Sequence, residues 1–230
     1  AFINIKEIDS ASFYIKRAAL KAPKRKLKAR YLFITGQLFE SLGKKDSALW
    51  AYQEIIALKR KAPRKFSIQA KIKKTLLDSS ALFEDRIQSL SNLSKNFENL
   101  PYLHVLNRSM GTLYLEEDQD SIALVYFEKS LQSPSIDSFT QIENYQDLAE
   151  YNFEKGNYLE TGLYLDKLLP LFEETSPAFK KLKRKRDNLS EVIIYEKTLQ
   201  QTDSLISLMS LSKKEQLQFF KGYIDEKRAI

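Results

Sequence analysis

Apolar residues recur along this chain at the spacing of helix faces rather than strands. Ile68, Ile72 and Leu76 share one face of a predicted helix, and Phe83, Ile87 and Leu90 share a face of the next. A longer pattern is laid over that periodicity. In "ARYLFITGQLFESLGKKDSALWAYQEII", Gly36 is followed by Phe39, Gly43, Ala48 and Tyr52. The same offsets return 75 residues later as Gly111, Tyr114, Asp118, Ala123 and Phe127. They return 38 residues beyond that as Ala149, Asn152, Gly156, Thr161 and Leu165. Counting back from Ala48 and Tyr52 reaches Ala11 and Ile15, with Ala18 and Pro23 behind them. Helical hairpins are therefore predicted over 29–62, 66–97, 104–136 and 142–175, with the second half of a further unit at 11–23.

The offsets resemble the tetratricopeptide repeat, a helix–turn–helix unit of about 34 residues. A small residue at Gly36, Gly111 or Ala149 lets the second helix approach the first closely. Gly43 and Gly156 supply a permissive turn between the two. Ala48 and Ala123 fall where helices cross, and a large side chain one turn later fills the gap. The 66–97 hairpin is degenerate, because its small-residue slot falls on Lys73 or Lys74 and its crossing slot on Asp85 or Arg86. The expected fold is an all-α superhelical solenoid of stacked hairpins over 1–175, with longer C-terminal helices over 176–230. There, Pro177 sits in a first turn, and Phe179, Leu182, Leu189, Ile193 and Leu199 line one long helix. "TDSLISLM" is expected as a bridging helix or turn. Ser212 and Glu215 form a capping box for a last helix that buries Leu217, Phe220 and Ile224.

Composition agrees with this picture. Gly and Pro number six each, and hydrophobic residues make up 43% of the 230, enough for a core. No apolar run approaches the roughly 20 residues that span a bilayer. The absence of Cys rules out disulfides and thiolate metal sites and leaves the redox compartment open. Charge is segmented. Residues 1–75 hold 19 Lys/Arg against five Asp/Glu, a net of +14; residues 76–179 stand at −12 and residues 180–230 at +5. A non-specific nucleic-acid binder needs a continuous positive track, and the central block interrupts it.

Four segments carry a more particular likeness: "RYLFITGQLFESLGKKDSALWAYQEIIALKRKAP", "YNFEKGNYLETGLYLDKLL", "KRKRDNLSEVIIYE" and "TDSLISLMSLSKKEQLQFFKGYI". Together they resemble the PorW/SprE family of tetratricopeptide-repeat lipoproteins, which belong to the type IX secretion and gliding machinery of Bacteroidota. The likeness covers nearly the whole chain. It implies a scaffold on the periplasmic side of the outer membrane, joining periplasmic ring proteins to the outer-membrane translocon. Membrane attachment would come only through a lipid anchor outside these residues. The alternative class is a cytosolic repeat adaptor, or a basic nucleic-acid-associated repeat protein.

Candidate chemistry is sparse. His104 is the one histidine, and a lone His without ligand partners is read as packed or solvated rather than metal-binding. "EEDQD" at 116–120 lacks the ligand ladder of a calcium loop and reads as a solvated turn. No phosphate-binding or nucleophile motif occurs, so neither catalysis nor a cofactor is expected. Groove-lining slots of the first helices carry Arg30, Phe33, Gln37 and Glu40, then Val105, Arg108, Thr112 and Leu115, then Glu143, Gln146, Glu150 and Phe153. These lack a carboxylate clamp. Two residues past each crossing slot stand Phe13, Trp50, Val125 and Leu163, apolar where a polar side chain is normal, and these form the candidate partner-binding column. The second candidate is the basic patch Lys180, Lys181, Lys183, Arg184, Lys185 and Arg186. It reads first as a solvated helix flank, then as a match for an acidic partner or the chain's own acidic block. Lipid headgroups remain open, and nucleic acid ranks last.

Overall fold

The computed structural model describes residues 7–228. Every regular element among them is helical. In chain order the α-helices are α1 (Ile8–Lys21), α2 (Arg25–Ser41), α3 (Lys45–Ala57), α4 (Arg64–Leu77), α5 (Phe83–Ser94), α6 (Leu103–Glu116) and α7 (Asp120–Leu131). They continue as α8 (Ser138–Glu154), α9 (Tyr158–Leu168), α10 (Pro177–Asn188), α11 (Ser190–Ser210) and α12 (Lys213–Arg228). The chain forms two compact units that meet in sequence at Gln141 and Ile142.

In the first unit each helix packs on its neighbour in the chain. Ala19, Ala29, Leu32, Ala48, Tyr52 and Ile55 are fully buried and join α1, α2 and α3 in one core. Ile68, Ile72, Leu90, Leu106 and Leu113 form a second core beneath α4, α5 and α6. In the second unit Ala149, Leu165, Leu168 and Leu189 bring α8, α9 and α10 together, with Ile193 of α11 against them.

Three of the hairpin turns share one geometry. Gly43, Asp118 and Gly156 have φ of 68°, 55° and 76°. In each turn the following N–H donates five residues back: Lys44 to the Phe39 carbonyl (2.9 Å), Gln119 to Tyr114 (2.9 Å) and Asn157 to Asn152 (2.8 Å). A second bond closes three residues back, from Gly43 to Glu40, Asp118 to Leu115 and Gly156 to Phe153. This paired pattern satisfies the last carbonyls of the preceding helix and needs a left-handed residue at its centre. Asp tolerates that conformation better than most side chains, which explains why the middle turn holds without Gly.

The small-to-large pairing is also present. A Cβ on Gly36 would come within 2.6 Å of the Tyr52 ring, and one on Gly111 within 3.3 Å of the Phe127 ring. The residues at the helix crossings, Ala48, Ala123 and Thr161, are fully buried.

The α4–α5 hairpin departs from this scheme in a way its charged residues explain. Its turn is closed by Asp78, whose carboxylate accepts from the Ser80 hydroxyl (2.6 Å) and backbone N–H (3.2 Å). Lys73 reaches the Glu40 carboxylate at 2.9 Å, and Glu40 also accepts the Tyr52 hydroxyl. Arg86 donates to the Thr75 carbonyl (3.2 Å), the Leu76 carbonyl (2.9 Å) and the Glu116 carboxylate (3.2 Å). The cations in the core slots are thus paired with oxygen acceptors rather than misplaced.

The C-terminal region differs from expectation at three points. The single long helix is two, α10 and α11, parted at Leu189. There the Leu189 N–H bonds to the Arg186 carbonyl in a tight three-residue turn (3.2 Å), and the Ser190 hydroxyl approaches the same carbonyl (3.4 Å). Asp187, Asn188 and Ser190 are residue types whose side chains compete with helical backbone bonding. "TDSLISLM" continues α11 instead of bridging. Its Thr202 and Ser204 hydroxyls bond four residues back, to the Thr198 and Gln200 carbonyls, and leave the helix unbroken. The capping box forms, with Ser212 N–H to Glu215 at 2.9 Å, but Leu217, Phe220 and Ile224 are exposed and not buried. Phe219 and Phe220 both border the groove between α11 and α12, and both remain about half-exposed.

Candidate docking surfaces

The apolar column divides between the two units. Phe13 on α1, Trp50 on α3 and Val125 on α7 belong to the first, and Leu163 on α9 belongs to the second. Each lies two residues past a buried position, Ala11, Ala48, Ala123 or Thr161. A step of two on a helix turns the side chain about 200° from the crossing, and so outward. Phe13, Val125 and Leu163 are exposed at 56%, 47% and 46%. The Phe13 ring meets Tyr14 edge-on at 5.4 Å and carries the Arg17 guanidinium 5.5 Å from its centroid.

Trp50 differs from its three counterparts. It is half-buried, packs against the core of α1–α3, and bears the Lys16 ammonium 4.5 Å above its ring. Its indole therefore contributes to the fold as well as to the surface. An account in which Trp50 is purely a partner anchor does not fit this packing.

The groove-lining slots of α2 are partly consumed within the protein. Phe33 packs on Phe66 (5.6 Å between centroids) and on Tyr52 (5.8 Å). Glu40 is held by Tyr52 and Lys73. Burial, then the adjacent Glu40 carboxylate, pushes the Tyr52 hydroxyl far above its ordinary range, so it remains a donor to Glu40 at any pH of interest.

The basic patch resolves into two parts. Arg186 pairs bidentately with Asp166 of α9 (2.8 and 3.1 Å), and Lys185 reaches Glu150 of α8 (2.6 Å) with its ammonium 4.4 Å from the Phe153 centroid. Two of the six cations are thus matched by the chain's own acidic block. Lys180, Lys181, Lys183 and Arg184 are exposed and fall within about half the circumference of α10. Ser176 caps that helix through the Phe179 N–H (3.1 Å), and Pro177 opens it. Leu182 and Leu189, on the opposite face, hold α10 to the core.

The chain matches no protein-family model and no curated protein.

His104 is buried, and its Nε2 stands 3.1 Å from Asp137. Burial opposes ionisation of Asp137. The backbone N–H and side chain of Thr140, together with His104, outweigh it and hold the carboxyl below its ordinary value. The pair ties the start of α6 to the segment before α8, and Ser130 adds a hydroxyl bond to the His104 carbonyl (2.7 Å). Sequence spacing did not foretell this partner, because His104 and Asp137 lie on separate elements 33 residues apart. Among the described residues no three His, Cys, Asp or Glu side chains are grouped to hold a metal ion. No helix among them is long and apolar enough to cross a membrane. Asp118 of the acidic run occupies the left-handed turn position between α6 and α7.

The surface that sequence reasoning missed lies on α11 and α12. Among their described side chains none is fully buried. The two helices flank a groove of about 1050 Å³ lined by Gln201, Leu205, Leu208, Phe219, Phe220 and Tyr223. Gln216 ties α12 to the end of α11 with bonds from its amide N–H to the Leu208 and Leu211 carbonyls (both 3.1 Å). The density of Leu, Ile and Phe after residue 190 marks this surface in the sequence, but helical spacing alone does not separate a core face from an uncovered one.

Proposed function

We propose that this chain is a non-catalytic docking scaffold built from tetratricopeptide-like hairpins. It serves a type IX secretion assembly on the periplasmic side of the outer membrane, where it holds periplasmic ring proteins to the outer-membrane translocon. The observation that carries the docking part is the exposure of Phe13, Val125 and Leu163 at one equivalent position of three hairpin helices. Exposed apolar side chains recurring at one register position suit a protein partner, since water gains nothing from them. The repeat part is supported by the shared turn at Gly43, Asp118 and Gly156. The secretion assignment rests on the four sequence segments quoted above. Two of the six α10 cations are matched internally and no aromatic platform is interleaved with them, which favours protein over nucleic acid as the partner.

The test is site-specific photo-crosslinking in the native envelope. A crosslinking amino acid at Val125 or Leu163 is expected to trap ring or translocon subunits. The same group at exposed Glu84 or Glu174, on segments that carry no column residue, is expected to trap none. Adducts only to unrelated soluble proteins would leave a docking protein without the secretion role. Equal yields at all four positions would refute docking through this column.

A further inference from the structure

The outward face of α11 carries a heptad seam. Val192, Tyr195, Leu199, Thr202, Ile206 and Met209 follow one another at alternating steps of three and four. That spacing defines the a and d positions of a coiled-coil strand rather than the broader stripe of a core helix. The five apolar members are 39%, 67%, 63%, 59% and 78% exposed, and Thr202 is exposed as well. The groove shared with α12 lies on the other side of the helix, along Gln201, Leu205 and Leu208. Neither α9 nor α12 covers the seam: α9 meets α11 through Ile193 and Glu196.

Charge along α11 follows the same frame. Its three acids, Glu191, Glu196 and Asp203, occupy the flanking e and g positions. Its one cation, Lys197, occupies the distal f position. Flanking charges set partner choice in helix pairs. A second copy of α11 would bring acid against acid: in a parallel pair Glu191 faces Glu196 of the other strand, twice. An anionic lipid surface meets the same repulsion. A helix with apolar a and d residues and Lys or Arg at e and g meets neither.

We propose that α11 pairs with a basic amphipathic helix of a partner protein, which lays its apolar seam between Glu191 and Asp203. The inference rests on the scaffold reading and adds the chemistry of one partner. It does not involve the Phe13–Leu163 positions.

The test uses the full 230-residue chain and two synthetic four-heptad peptides, both with Leu or Ile at a and d. One carries Lys at e and g, and the other carries Glu. Fluorescence anisotropy at low and at about 150 mM salt is expected to show the Lys peptide binding at least tenfold more tightly. Leu199→Lys with Ile206→Lys should abolish binding with unchanged far-ultraviolet circular dichroism, since both residues are exposed. Glu191→Lys with Asp203→Lys should invert the preference toward the Glu peptide. Glu196 is left intact because its carboxylate accepts the Leu159 N–H at the start of α9 (2.7 Å). Absence of binding by either peptide would overturn the proposal. So would a preference that survives the charge reversal, a dimer of the chain broken by Leu199→Lys, or binding to phosphatidylglycerol vesicles broken by it. Crosslinks at Val125 and Leu163 without peptide binding would reject this inference alone. Peptide binding without those crosslinks would reject only the role given to the column.

Discussion

Asp118 is a residue on which sequence and backbone can be set against each other directly. At φ 55° it holds a conformation that costs an L side chain about 1–2 kcal/mol, while its counterparts Gly43 and Gly156 hold it freely. Asp118→Gly should therefore stabilise the first unit by roughly 0.5–1 kcal/mol, net of the extra chain entropy of glycine. Chemical denaturation checks this through a higher midpoint at unchanged slope. Gly36 and Gly111 make a second comparison. Alanine gains about 1 kcal/mol of helix propensity at either site. At Gly36 the new methyl meets a fully buried Tyr52 ring at 2.6 Å, and Glu40 tethers that ring. At Gly111 the nearest atom is the Ala123 carbonyl oxygen at 3.2 Å. Gly36→Ala is expected to lose about 1–3 kcal/mol to overpacking, and Gly111→Ala to fall within about 1 kcal/mol of the parent. The spacing of small and large residues made both pairs legible in the sequence. The Glu40–Tyr52–Lys73 contact was not legible, because nothing local links residues from three different helices.

At the scale of elements, the hairpins were readable and the joints between them less so. Hydrophobic period and the left-handed turn residue set where α2/α3, α6/α7 and α8/α9 fold back. Lys73 and Arg86 made α4/α5 look degenerate, since a sequence does not reveal that a cation in a core slot has a carbonyl or carboxylate waiting. Arg86 is the sharper case: its side chain is 11% exposed and holds two carbonyls at the end of α4. Arg86→Met keeps the stem and removes the donors, and should cost about 1–3 kcal/mol, read as a lower melting temperature. Asp137 sets a pH dependence for the tie between α6 and the segment that precedes α8. Its folded carboxyl is held below the ordinary value of 3.8, so the stability it adds is complete above that pH. That contribution is lost as the pH falls through the lower folded value. With Asp137 half-exposed, it should amount to less than about 1 kcal/mol. Asp137→Asn should therefore be less stable than the parent at pH 6, and the gap should close as the pH falls toward 2.

For the whole molecule, segmented charge and exposed apolar positions decide the account together. The sequence reading placed the apolar column from repeat register alone, and the structure exposes Phe13, Val125 and Leu163 while half-burying Trp50 under Lys16. That difference comes from Lys16 of α1, because repeat register turns Trp50 outward without showing which neighbouring side chain folds over it. The core expected in α12 was missed for the opposite reason: amphipathic spacing shows which residues share a face and is silent on whether anything covers it. The measurement that bears most directly on the central claim is quantitative recovery of partners by the tagged full-length protein from its native envelope. It compares the parent with Val125→Glu and Leu163→Glu, with melting temperatures taken in parallel. Both side chains are half-exposed, so the account predicts little change in melting and at least a tenfold loss of ring or translocon subunits. Full recovery of those subunits by both variants at unchanged stability would contradict it.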